Sequence, residues 1–202
     1  MIATGHPPDR LTPDAIAALF TGADGGFLCA RWGRPVAPVA FGLADETLAI
    51  FRAALAAVLA DVRHPLADTD PDMGANLMIF AVRDWAELAG VPDLDRLTGV
   101  EDLPARLSAA AGGQGTDRYG LLRFDPDGGI RACLSFLRLG GALGAMHPAR
   151  LAESVAVNAM LSFARPVVPT PALAALVRAA YDPALPVAAR DASHALRLAA
   201  RL

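Results

Sequence analysis

The segment Asn76-Leu77-Met78-Ile79-Phe80-Ala81-Val82-Arg83 constrains the fold most, because six consecutive apolar residues lie between two polar ones. A run of that length suits a strand, and its lack of alternation predicts a strand covered on both faces. Residues 44–62 precede it as an amphipathic helix. Leu48, Phe51, Leu55, Val58, Leu59 and Val62 recur at three- and four-residue spacing, with Asp45 and Glu46 in the first turn. Strand, helix, strand implies a right-handed crossover.

Residues 119–125 and 130–139 flank Pro126-Asp127-Gly128-Gly129, a turn whose glycines supply positive φ, and predict a β-hairpin. Residues 27–32 and 36–41 read as extended segments around Gly33-Arg34-Pro35, separate or as one bent strand, and Pro38 confines the second to a sheet edge or a bulge. Thr12-Pro13-Asp14 opens a short helix to about residue 21. Residues 84–87 and 94–111 predict short helices over one edge of the sheet. Residues 147–164, 171–181 and 189–202 predict helices separated by proline-rich breaks.

The expected fold is α+β in a single domain. It has a mixed, twisted sheet of four or five strands in residues 12–146, with the crossover helix on one face and a helical C-terminal part, residues 147–202, closing the other. The 202 residues are enough to bury a core of ordinary size. Although 54% of the chain is hydrophobic, charged residues, proline or glycine cut every apolar run before about 18 residues, so no spanning helix is expected. Residues 1–10 lack a basic start and a continuous apolar stretch, which favours the cytoplasm over secretion.

All eighteen basic residues are arginine. The absence of lysine removes Schiff-base chemistry, the P-loop lysine and the Ser-x-x-Lys nucleophile. The arginines are scattered singly and the net charge is −3, so nucleic-acid binding is not expected. No Gly-x-Ser-x-Gly elbow accompanies a serine. Cys29 and Cys133 lie in apolar strand-like runs, as buried structural thiols do.

Asp68, Asp70 and Asp72 are spaced like the start of a calcium loop. Gly74 comes one place late, however, and Ile79 stands where a bidentate glutamate belongs, so a solvated acidic loop is expected. Gly112-Gly113-Gln114-Gly115 follows a helix and precedes a strand, the reverse of a phosphate cradle, and reads as a flexible loop. His147 and Glu153 are six apart, off the spacing that puts two ligands on one helix face, and His147 fits a helix N-cap. His64 and His194 have no ligand-spaced partners. No metal and no cofactor is expected. Asp125 and Asp127 are explained by turn chemistry.

Arg31, Trp32 and Arg34, with Arg123, Arg131 and Arg138 on the hairpin, form the most unusual polar set. On an open sheet face such arginines bind anions through bidentate contacts, and they also lie over apolar surface with their heads in water. The candidate ligand-binding residues are Arg31, Trp32, Asn76, Tyr119 and Arg131. No catalytic residue is assigned.

Four segments in shared order, Arg31-Trp32-Gly33-Arg34-Pro35-Val36, Ala75-Asn76-Leu77-Met78-Ile79-Phe80, Ile130-Arg131-Ala132 and Ala180-Tyr181-Asp182-Pro183-Ala184-Leu185, resemble a bacterial family of uncharacterised proteins with a zincin-like, metallopeptidase-like fold. The resemblance covers residues 27–186 and implies the scaffold. In zincins the helix after the sheet carries His-Glu-x-x-His; here it reads HPARLAESVAVNAMLSFA, without a second histidine, so no metal or catalytic residue carries over. The expected function is a non-catalytic protein that binds a protein partner or a small anionic ligand. A hydrolase with a site assembled from dispersed residues is the alternative. A third reading is a homodimer through Leu196, Leu198 and Leu202.

Overall fold

The computed structural model describes residues 11–111 and 117–202. Residues 1–10 and the glycine-rich segment 112–115 lie outside the described residues. The elements in order are α1 (Pro13–Phe20), β1 (Cys29–Ala30), β2 (Pro38–Phe41), α2 (Asp45–Asp61), β3 (Leu77–Val82), α3 (Leu94–Thr98), α4 (Leu103–Ala111), β4 (Arg118–Phe124), β5 (Ile130–Arg138), α5 (Pro148–Met160), α6 (Pro171–Ala180), β6 (Ala188–Ala189) and α7 (His194–Ala199). Short 3-10 turns occupy Trp85–Gly90 and Ala142–Ala145. The fold is α+β.

The main sheet has the order β2-β3-β5-β4, parallel from β2 through β5, with β4 antiparallel at the end. The apolar run is therefore an inner strand, and its alternation divides it between two cores. Leu77 and Ile79 join one core and Phe80 the other, with Met78 and Val82 packed beside it. Helix α2 is the crossover between β2 and β3, and Pro38 sits on an edge strand as expected. Gly42 lets the chain leave β2. Its φ is +77°, and a Cβ there would stand 1.9 Å from the Ala81 carbonyl oxygen.

The layers differ from expectation. The first core unites α2 with α1, α5, α6 and α7, through Phe51, Leu55, Val155, Leu176 and Leu198. The C-terminal helices thus share a face with the crossover helix. The opposite face is covered by residues 85–111, which lie over the sheet and not over one edge of it. There Trp85, Leu88, Leu94, Leu103 and Leu107 meet Phe80, Leu134 and Phe136. The Phe80 and Phe136 rings stack at 4.9 Å. Each fully buried large apolar side chain contributes about 1.5–3 kcal/mol, which makes this short-helix layer a genuine second cover.

Residues 27–41 are not one strand either. β1 pairs antiparallel with β6 in a separate two-stranded sheet, Cys29 opposite Ala189. Pro35 and Pro38 lack the N–H groups a continuous ladder needs, and Trp32 turns aside to bridge Ile130. The last helix begins at His194, later than periodicity suggested, because Asp191 Oδ1 accepts the Ser193 N–H at 2.8 Å and resets the helix start. In α7, Leu198 is buried and Leu196 is exposed.

Among the described residues, no helix is long and apolar enough to cross a membrane.

Candidate functional site

The polar residues gather where β1, the hairpin turn and the loop before β3 converge. Arg34 is the centre of this network. Its Nε and Nη2 donate to Asp125 at 3.1 and 3.0 Å, and Nη1 donates to Asp72 at 3.0 Å and Asp70 at 3.3 Å. The hydrogen bonds it donates to Asp72 and Asp125 push its pKa up, so it stays charged. Arg131 lies 4.0 Å from both Asp72 and Asp125.

Asp70 corrects the expectation of a solvated acidic loop, because it is only 5% exposed. Burial on its own would raise its pKa. The backbone amides of Asp72 and Met73, with Arg34 and the Asn76 side-chain amide, donate to its carboxylate and hold it below the usual carboxylate range. The loop that resembles a calcium site thus wraps an arginine. Asp125 is likewise engaged beyond the turn, whereas Asp127 caps it by accepting the Gly129 N–H at 2.9 Å.

The Asp70 carboxyl links stability to acid. Its folded pKa lies below its ordinary 3.8, so the unfolded chain takes up the proton first and folding gains from this group at higher pH. That contribution is present above about pH 4 and is lost as pH falls toward the folded value. The urea midpoint is expected to fall more steeply from pH 5 to pH 2 in the wild type than in Asp70→Asn; equal slopes would refute the assignment.

Asn76 is fully buried and joins three segments. Its Oδ1 accepts the Ala37 N–H at 2.8 Å, and Nδ2 donates to the Pro35 carbonyl at 2.8 Å and to Asp70 at 3.0 Å. Trp32 is equally buried, with its indole Nε1 donating to the Ala159 carbonyl at 2.7 Å. Arg31 stands 5.6 Å from the Tyr181 ring centroid, where its charge meets the ring face, and its Nε has no partner among the described residues. His64 Nε2 donates to the Arg34 carbonyl at 2.7 Å, and burial lowers the pKa of its ring.

Arg31 and Trp32 therefore meet around Tyr181, while Asn76 and Arg131 are joined through the network of Asp70, Arg34, Asp72 and Asp125. Tyr119 is apart from both. It pairs with Phe136, four residues along β4 from Arg123, about 13 Å at the usual strand rise.

An open groove of about 920 Å³ adjoins the network at Arg131. Arg96, Arg123 and Arg131 line it, with Leu97, Phe124 and Asp93 among the other walls. Arg123 Nη2 donates to the Leu97 carbonyl at 2.6 Å, which positions its guanidinium over the groove wall. Of the five arginines singled out in the sequence, Arg31 lies over Tyr181, Arg34 is consumed by three aspartates and Arg138 by Asp117, which leaves Arg123 and Arg131 here. Arg96 was missed; it lies in short α3 with nothing in its neighbours to mark it.

The nucleophile candidates are occupied or suppressed. Burial pushes the thiols of Cys29 and Cys133 up to about 12, as suits structural cysteines. His147 Nδ1 accepts the Ala149 N–H at 3.3 Å as a helix cap. Among the described residues, no three His, Cys, Asp or Glu side chains are grouped to hold a metal. Comparison with known proteins finds no matching family model, no similar curated protein and no similar solved structure, so the functional reading rests on the residues of this chain.

Proposed function

We propose that this chain is a non-catalytic, cytoplasmic binding protein on a zincin-like scaffold, and that the Arg96, Arg123 and Arg131 groove receives an anionic partner. The shared order of elements over residues 27–186 supports the scaffold. Two free, buried thiols suit a reducing compartment. The observation that carries the binding reading is the arginine-lined groove itself. Arg96 and Arg123 are exposed and have no carboxylate partner among the ion pairs of the described residues. Guanidinium groups held beside apolar walls suit carboxylate recognition with some hydrophobic contact.

Fluorescein-labelled hexaglutamate is a suitable probe. Binding by anisotropy is expected to weaken with salt, and Arg96→Gln, Arg123→Gln and Arg131→Gln should each weaken it about fivefold, near the ~1 kcal/mol typical of an exposed ion pair. A triple variant that folds and binds as well as the wild type would overturn the reading.

A further inference from the structure

β4 is a sheet edge with a position that has no side chain, Gly120, near its middle. The Asp117 carbonyl accepts the Arg138 N–H at 2.8 Å, and bonded pairs alternate along an antiparallel ladder. Tyr119 and Leu121 therefore bond to β5, whereas Gly120 and Leu122 aim their N–H and C=O groups away from it. Among the described residues, no hydrogen bond reaches those outward groups of Gly120 and Leu122. An edge of this kind is a template for another strand.

The two faces of this edge differ chemically. On the α5 side, Arg118 Nη1 donates to Ser154 at 2.9 Å and Leu122 packs on the first core. Between them Gly120 has no side chain, and a cleft of about 180 Å³ opens there, lined by Ser135, Cys133, Val155, Asn158 and Ala159. That volume is below the ~300–1,000 Å³ of small-molecule pockets and suits one apolar side chain. On the other side, Tyr119 and Leu121 pack on the second core, and Arg123 reaches the arginine-lined groove.

The geometry points to strand addition: an extended segment of a partner protein, apolar at one position and acidic at its alternate neighbours, pairs with β4 as a fifth strand. A strand's side chains alternate between faces. The residue beside Gly120 enters the cleft, and residues one and three places away face the Arg123 side. The charge of the groove selects an acidic partner over a second copy of this chain, whose own β4 would bring Arg118 and Arg123 to the same edge. Main-chain bonds supply affinity and the cleft and groove supply specificity, as in other strand-addition complexes. This inference rests on the binding reading above and names the class of its partner.

The test uses a labelled nonapeptide of alternating threonine and glutamate with one central leucine. Binding is expected, with slowed amide exchange at Gly120 and Leu122. N-methylation of alternate peptide amides should weaken it at least tenfold. Gly120→Val should do the same while leaving the fold intact, because a Cβ there meets only the Leu134 carbonyl oxygen, at 3.9 Å. Undiminished binding by the methylated peptide, or by a folded Gly120→Val, would overturn strand addition. Arginine-dependent binding of hexaglutamate, with no exchange protection at Gly120 and Leu122 by the nonapeptide, would overturn it and leave the binding reading standing. No binding of either peptide would overturn both.

Discussion

Asn76→Leu is expected to lower the stability of the folded chain by about 3–5 kcal/mol, because buried polar groups left without partners cost about 1–3 kcal/mol each. The leucine fills similar space but strands the Ala37 N–H and the Pro35 carbonyl, and it removes one donor from buried Asp70. With a urea slope of about 2 kcal/mol per molar, the midpoint should fall by ~2 M. A loss under about 1 kcal/mol would mean that water or a shifted backbone satisfies these groups. Arg34 should then lose its fixed geometry as well, since Asp70 is held in place partly by the Asn76 amide.

Trp32→Ala is expected to cost about 3–5 kcal/mol, the range for emptying a buried aromatic site. Trp32 is fully buried where β1, the start of β5 and the end of α5 meet, and its loss also orphans the Ala159 carbonyl. Trp32→Phe should recover much of the packing and not the hydrogen bond. Equilibrium unfolding of the two variants separates these effects: the phenylalanine chain should lie between wild type and alanine. Equal stability of all three would show that the indole is not an anchor.

The elements whose sequence carries a strong period or a decisive turn were legible. The hairpin around Gly128 and Gly129, helix α2 and the inner strand at residues 77–82 all follow from local patterning. The arrangement of layers was not, because the leucines at 88, 94, 103 and 107 show that short helices are apolar without showing which side of the sheet they cover. β6 was hidden for a related reason: Ala189 read as a helix start, and only pairing with Cys29 and Ala30 makes Ala188 and Ala189 a strand.

For the site, the sequence identified the unusual arginines and could not sort them. Arg34 and Arg123 look alike in isolation, yet one is surrounded by Asp70, Asp72 and Asp125 brought from two distant segments, and the other faces an open groove. Asn76 was among the candidate residues, but its partners Pro35 and Ala37 come from about forty residues earlier, a distance that local spacing does not reveal.

The chain has two tryptophans, and the sheet separates them. Trp32 belongs to the first core with a hydrogen-bonded indole, whereas Trp85 belongs to the second with its Nε1 buried and without a hydrogen-bond partner among the described residues. Each layer therefore contains its own fluorophore in a different polar setting. Chains retaining one or the other would time the assembly of each side of the sheet separately during refolding, and so reveal whether the short-helix cover docks with the main core or after it.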